Sequence, residues 1–467
     1  MSRTIIIGGG ISGLTAAHRL KQQGREVRVL ESSPRPGGAI ETIQQDGYLF
    51  ERGPNSFMDN EPATLDLCRE LGLENRLLKQ SMRGNKRYIF LDGALQEAPM
   101  GPGGLYKTPL LSASAKWGLL AEPFRRSNRN AEDEPLADFI RRRLGKEVLD
   151  NMVTPFVSGV YAGDPEKLSL RSSFSILYDL ERQSGSLLLG GLSKAFAKKD
   201  PSKPKKPRSK NLCSFIDGMD ELPRALAASL GDSLRLNAPI SSVERKPEGG
   251  WRVFVEGDPA PEEGAAIIAT APAHTLGNLL KDYIPETADY FKTITYNRLV
   301  VMGLGFHRDD IEHPCDGFGY LVPRRQGPRF LGSIWSSSLF PLRAPGGCVA
   351  FTCFMGGGLD PDAYDMNDDD LRATVMRDLR LAVGAKADPV AERIVRWHKA
   401  IPQYPVGHHD RLHYMDEELK DVPGLYITGN FTRGVSVNDC IRNARQTADA
   451  VAAYLPSASA PAQEALR

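Results

Sequence analysis

The chain begins with a β-branched run, Thr4-Ile5-Ile6-Ile7, that breaks at Gly8-Gly9-Gly10-Ile11-Ser12-Gly13. A second apolar run, Val27-Arg28-Val29-Leu30, closes on Glu31. Short continuous apolar runs bounded by glycine predict strands buried on both faces of a parallel sheet. The stretch between them predicts a helix starting near Ile11. The strand pattern returns at 264–270, before the turn Ala271-Pro272, and again at Gly424-Leu425-Tyr426-Ile427-Thr428-Gly429-Asn430. Beyond it, Gly434-Val435-Ser436-Val437-Asn438-Asp439 leads into a predicted helix from Cys440 to about Tyr454, with Asn438 or Asp439 as N-cap. From about 96 to 210 the spacing is helical, as at Leu136, Phe139, Ile140 and Leu144. Residues 299–306, 330–335 and 348–354 have strand character and predict a mixed sheet with a few helices.

Strand, glycine turn, helix, strand and acid in that order form a dinucleotide-binding fingerprint. Gly8 permits the sharp turn, Gly10 lets the backbone approach a pyrophosphate, and Gly13 lets helix lie on strand. Gly9, Ile11 and Ser12 complete the loop, and the positive end of the helix faces the phosphates. Glu31 is placed to accept hydrogen bonds from an adenosine ribose. A second glycine pair follows in Pro34-Arg35-Pro36-Gly37-Gly38-Ala39. An extended FAD needs such a second close approach of backbone, whereas a nicotinamide dinucleotide does not. With the C-terminal strand, turn and helix, whose positive end would face a flavin carbonyl, the pattern favours FAD.

Composition narrows the picture further. The 467 residues, 41% hydrophobic and 25% charged, are too many for one simple core and predict two or three lobes in an α/β protein. A net charge of +1 gives no reason to expect nucleic acid as a partner. The six cysteines lack metal or redox spacing and suggest a reducing compartment. No metal motif occurs, and His408-His409 reads as a surface pair in a polar loop. The first strand starts at about residue 4, leaving no room for a signal or transit peptide, and no apolar run has the length of a membrane span. Residues 198–210 hold seven basic residues among Pro201, Pro204 and Pro207, and predict a solvated loop. Residues 110–126 mix Leu111, Trp117, Leu119, Leu120 and Phe124 with Arg125 and Arg126, which suits either an interfacial membrane helix or a core helix with a basic end.

Five further segments carry a family resemblance: Glu51-Arg52-Gly53-Pro54-Asn55-Ser56-Phe57, Asn85-Lys86-Arg87-Tyr88, Ser158-Gly159-Val160-Tyr161-Ala162-Gly163-Asp164, Ile401-Pro402-Gln403-Tyr404 with Gly407-His408, and Val437-Asn438-Asp439-Cys440-Ile441. In these the chain resembles the oxygen-dependent protoporphyrinogen oxidases of haem biosynthesis, within the monoamine-oxidase-like flavoproteins. The sister coproporphyrinogen oxidases share most of the motifs. The resemblance implies a Rossmann-type FAD domain (1–80, 211–285 and 411–455) and an inserted mixed-sheet substrate domain (81–95 and 286–410). It also implies a helical, membrane-associating domain (96–210), followed by a tail (456–467). The implied reaction is the six-electron oxidation of a porphyrinogen by non-covalent FAD, with O2 reoxidising the flavin to give H2O2. The implied setting is cytoplasmic, peripheral to the inner membrane, with ferrochelatase or a second copy of the chain as further partners.

The resemblance also implies roles for single residues. Arg87 would pair with a substrate propionate, Leu321, Ile334 and Phe354 would sandwich the rings, and Gly159 would line the pocket. For FAD it carries over onto Gly8, Gly9, Gly10, Ile11, Ser12, Gly13, Glu31, Ala39, Gly53, Pro54, Asn55, Ser56, Ile240, Trp397, Gly434, Val435 and Ser436. No catalytic side chain is implied, because the cofactor carries the redox step. From spacing alone the three apolar residues and Trp397 read first as core, and the alternative for Arg87 is a surface or structural ion pair. Three alternatives remain open: a coproporphyrinogen oxidase, whose extra propionates call for more basic residues; an amine oxidase or carotenoid desaturase; and an inactive flavin-binding scaffold.

Overall fold

The computed structural model describes residues 3–99, 101–130, 132–196 and 211–456. The basic segment 198–210 and nearly all of the tail lie outside the described residues.

Five parallel strands form the first sheet, in the order Leu234–Arg235, Val27–Leu30, Thr4–Ile7, Ala266–Ala269, Leu425–Ile427. Thr4–Ile7 and Ala266–Ala269 are buried along their whole length, which their unbroken apolar runs require. Alternate residues face opposite sides. Ile6 and Ile268 pack under the helices Ile11–Gln22, Glu221–Leu230 and Val437–Tyr454. Ile5, Ile7 and Ile267 pack under an antiparallel meander of Ile240–Arg245, Trp251–Val255 and Glu262–Gly264.

The second sheet has seven strands, in the order Ala391–Trp397, Leu299–His307, Cys348–Gly356, Gly332–Ile334, Gly319–Leu321, Tyr88–Leu91, Ala94–Glu97. Only the pairing of Gly319–Leu321 with Tyr88–Leu91 is parallel. One face of this mixed sheet is sealed by the helix Asp368–Val383, capped by the Asn367 side chain and stopped at Gly384 in the left-handed region. The two sheets meet where the hairpin of Thr42–Gln45 and Tyr48–Glu51 lays Tyr48 and Phe50 on Gly305 and Gly303. A Cβ on Gly303 would stand 2.4 Å from the Phe50 ring.

Short helices fill residues 102–196, around a core that includes Leu136, Phe139, Ile140 and Leu168. Residues 110–126 are not one helix: Ala113–Leu120 is followed by a single turn, Glu122–Phe124, and Arg125 and Arg126 lie beyond both. Pro123 cannot continue the first helix, and beside it Glu122 turns inward. Its carboxylate is fully buried and accepts from the Ser186 hydroxyl (2.6 Å) and the Leu187 and Leu188 N–H groups (3.0 and 3.2 Å), so it caps the helix Leu187–Phe196. Arg143, also fully buried, pairs with Glu122 and donates to the Gly185 and Arg125 carbonyls.

Removing Glu122 takes from Arg143 its nearer carboxylate and leaves Glu181 at 3.5 Å. Glu122→Ala should destabilise the protein by about 3–5 kcal/mol, read as an early unfolding transition in chemical denaturation. A midpoint equal to that of the unmodified protein would show that the pair is dispensable.

Candidate active site

The carboxyl ends of the parallel strands gather three glycine-rich turns. Gly8 takes φ +110°, and a Cβ on Gly13 would stand 1.9 Å from the Gly8 carbonyl oxygen. Thr270, at the end of the neighbouring strand, donates its hydroxyl to the Ile7 and Gly8 carbonyls at 3.0 and 3.1 Å. Nothing in its motif marks Thr270 in the sequence except its place where the apolar run stops. The second glycine pair closes on the first: the Gly37 N–H donates to the Gly9 carbonyl at 2.8 Å, and Gly10 and Gly37 pair as a parallel bridge. Glu31 accepts from the Gly9 N–H (2.5 Å) and the Ser33 N–H (2.8 Å), which leaves lone pairs on both oxygens.

This arrangement suits an anion. The helix Ile11–Gln22 has no side-chain cap and no acid in its first turn, so the N–H groups of Ile11 and Ser12 retain their donor capacity. A Cβ on Gly10 would meet nothing within 4 Å. The residues therefore fit the pyrophosphate and ribose of a dinucleotide, with open space where the phosphates approach backbone and a carboxylate where the ribose hydroxyls donate. Gly53 packs under the loop, since its Cβ would stand 2.2 Å from the Ala39 carbonyl oxygen, and Asn55 donates to the Gly53 carbonyl. Pro54 and Ser56 continue this half-buried stretch. Ile240 lies just past Ala238, whose N–H donates to the Glu31 carbonyl.

Two placements differ from expectation. The C-terminal helix starts at Val437, and its N-cap is Ser436, whose hydroxyl oxygen accepts from the Asp439 N–H at 3.1 Å. Asn438 and Asp439 are not caps, because Asn438 turns inward to the Met58 carbonyl and Thr64 hydroxyl and Asp439 sits in the first turn. Gly434, at φ +116°, and Val435 lead into that cap. His408 is no surface residue: it is buried against Tyr404, and only His409 is exposed. Trp397 gives its N–H to the Arg52 carbonyl and has the Arg52 guanidinium over its ring at 4.6 Å, so Arg52 occupies one ring face.

The mixed sheet presents its other face as an apolar floor. Its register aligns Ile89, Leu321, Gly332, Phe354, Val301 and Val395 in one row across the strands. Ile334 lies two residues from Gly332 and so points the same way. The structure thus brings Leu321, Ile334 and Phe354 onto one face, away from the sealing helix. Gly159, on the helix Thr154–Tyr161, sits over this row: a Cβ there would stand 2.3 Å from the Leu321 side chain. Asn297 and Gln403 pin the end of that helix by donating to the Ala162 and Tyr161 carbonyls at 2.6 and 3.0 Å. Their isolated polar positions gave no sign of this in the sequence.

At the rim, Arg87 is exposed, rests over the Phe318 ring at 5.4 Å and donates to the Asn85 carbonyl. Among the described residues no carboxylate pairs with it. Its neighbour Lys86 is neutralised by Asp316 at 2.6 Å, and the Tyr88 hydroxyl holds the other oxygen of that carboxylate at 2.7 Å.

The model for flavin-containing amine oxidoreductases matches residues 11–452. The chain is 34% identical to a chloroplastic protoporphyrinogen oxidase of Nicotiana tabacum, over 97% of this chain and 85% of that one. It is 28% identical to a coproporphyrinogen III oxidase of Bacillus subtilis (strain 168), over 97% and 98%. A solved structure from Exiguobacterium sp. 255-15, assigned as a protoporphyrinogen oxidase, superposes with a TM-score of 0.82 at 26% identity, covering 96% and 98%.

Gly10 and Gly13 separate cofactor binding from folding. Gly10 has an ordinary φ of −73° and open space beside it, so Gly10→Val should fold with a near-normal melting temperature yet purify without flavin absorbance. Gly13→Val should lose folded protein itself, because the Gly8 carbonyl cannot retreat. Flavin retained at full occupancy by Gly10→Val would show that the first loop is not the phosphate site.

Proposed function

The chain belongs to the flavin-containing amine oxidoreductase family, in its porphyrinogen-oxidising group, and from that premise we propose that it converts protoporphyrinogen IX to protoporphyrin IX. The observation that carries this reading is Arg87, an exposed guanidinium at the rim of the apolar floor with no carboxylate partner among the described residues, beside a Lys86 that Asp316 already neutralises. A macrocycle with two propionates on one edge needs few cations, whereas four propionates would need more. Guanidinium binds carboxylate through two parallel hydrogen bonds, which fixes orientation as well as charge.

Bound non-covalently, FAD would supply the electron acceptor for this six-electron oxidation and pass the electrons to O2, giving H2O2. The glycine loops with Gly10, Gly37 and Gly38, the first turn of Ile11–Gln22 and Glu31 would hold it. Leu321, Ile334 and Phe354 would bear the macrocycle and exclude water, and the missing side chain at Gly159 lets its helix close directly onto Leu321. Arg87 would anchor the propionate edge and so choose which carbon bridge faces the flavin.

We extend the proposal to a membrane surface. No helix among the described residues is long and apolar enough to cross a bilayer. The helical lobe nevertheless exposes Trp117 (72%), Phe124 (91%), Ile176 (70%) and Phe196 (83%), together with Leu188, Leu189 and Leu192. Exposed apolar side chains of this kind suit peripheral attachment. Poorly soluble substrate and product would gain a hydrophobic route to the site.

Arg87→Ala should raise KM for protoporphyrinogen roughly tenfold to a hundredfold, the equivalent of about 1.5–3 kcal/mol for a charge-assisted pair, and leave the flavin spectrum unchanged. Turnover of protoporphyrinogen should exceed that of coproporphyrinogen in the same assay, and the reverse order would assign the chain to the sister reaction. For attachment, mild detergent should release nearly all of the protein from membranes and high salt only part of it. Recovery of all the protein in the soluble fraction at low salt would exclude the membrane surface.

A further inference from the structure

Residues 402–408 lie outside the glycine loops and the apolar floor. Two of their rings, Tyr404 and His408, are buried and stacked face to face, with centroids 4.2 Å apart and planes 6° from parallel. Together they hold the backbone of the turn that follows the edge strand Leu425–Ile427. The Tyr404 hydroxyl donates to the Asn430 carbonyl at 2.5 Å and accepts from the Gly434 N–H at 3.0 Å. His408 Nε2 lies 3.0 Å from the Thr432 carbonyl, which can only accept, so Nε2 carries the proton and Nδ1 accepts from the Tyr290 hydroxyl. Burial pushes the imidazole down to about 4, which keeps this single-proton form at neutral pH. One phenol and one imidazole thus fix three backbone groups between 430 and 434.

The turn's place in the sheet gives these contacts a purpose. Glu31 ends the strand on one side of the glycine loop, and the turn 430–434 ends the outermost strand on the other side. A dinucleotide lies along the carboxyl ends of such a sheet. With its ribose at Glu31 and its pyrophosphate at Gly10, its redox-active end runs toward the turn. The segment is also tied to the helical lobe: the Tyr404 carbonyl accepts from the Ser169 N–H at 2.9 Å, and the Gly407 N–H donates to Asp133 at 3.0 Å.

We propose that Tyr404 and His408 are positioning residues for the flavin: by fixing the backbone of residues 430–434 they set how tightly the isoalloxazine is held and how readily it is reduced. The inference rests on the flavin reading above. Backbone dipoles tune a bound flavin only if they are held in place, and a buried ring pair holds them without a charge of its own.

Tyr404→Phe keeps the ring and its stack and removes both hydroxyl hydrogen bonds. In the FAD-loaded protein it should raise the FAD dissociation constant about tenfold, shift the flavin midpoint potential and visible absorption, and leave KM for porphyrinogen unchanged. Wild-type flavin affinity, potential and spectrum in Tyr404→Phe would overturn the proposal, since a purely structural role would lower only the melting temperature. His408→Gln, whose amide can still donate to Thr432 but cannot stack, gives the same readouts if Tyr404→Phe does not fold. A wild-type protein that holds FAD but oxidises no porphyrinogen would end the functional reading and leave this test standing. A protein that binds no FAD would end both.

Discussion

The helix Ile11–Gln22 lies on the turn before it so closely that a Cβ on Gly13 would stand 1.9 Å from the Gly8 carbonyl oxygen. That approach aims the uncapped first turn of the helix over the ends of the parallel strands, where its free N–H groups and partial positive charge are concentrated. The neighbouring loops are referred to this contact. The second glycine loop docks by one backbone hydrogen bond from Gly37 to Gly9, and Glu31 by a bond from the Gly9 N–H. Thr270 ties the neighbouring strand to the same turn. Backbone-to-backbone contacts of this kind admit no side chain between them, so glycine is required on both loops.

A second constraint fixes the apolar floor relative to the glycine loops. Three joints provide it. Phe50 and Tyr48 lie on Gly303 and Gly305, which have no side chain to hold them off. Buried Glu51 faces buried Arg343 at 3.6 Å and accepts from the Met219 N–H and the Thr42 hydroxyl. Burial pushes its carboxyl up to about 7 despite the nearby guanidinium, a sign of how little water reaches this seam. Asn297 and Gln403 hold the Gly159 helix from the other side. The exposed apolar side chains of the helical lobe stand outside this rigid frame.

Much of the parallel-sheet lobe was legible in the sequence because its rules are local. Continuous apolar runs mark strands covered on both faces, and glycine marks backbone approach, so Thr4–Ile7, Ala266–Ala269 and Leu425–Ile427 could be placed from pattern alone. The helical spacing of Leu136, Phe139 and Ile140 was legible for the same reason. Capping was not: Ser436, Asn438 and Asp439 are all good N-cap residues, and the choice fell to Ser436 because Met58 and Thr64, distant in the chain, take the Asn438 amide. His408 reads as exposed because His409, Asp410 and Arg411 follow it in the chain. The side chains that bury it, Tyr290 and Tyr404, reach it through the fold.

The sequence by itself determined the class of the parallel sheet, the glycine fingerprint and the acid that follows it, since each depends on residues a few positions apart and on backbone geometry. Its motifs also carried the resemblance to the porphyrinogen oxidases. Only the tertiary structure decided that Leu321, Ile334 and Phe354 share a face, because that follows from the register of strands tens of residues apart. It likewise decided that Lys86 is neutralised while Arg87 is not, and that a tyrosine and a histidine hold the C-terminal turn. Such facts are statements about which side chains meet across the fold, and sequence pattern specifies which way a residue points far better than what it finds there.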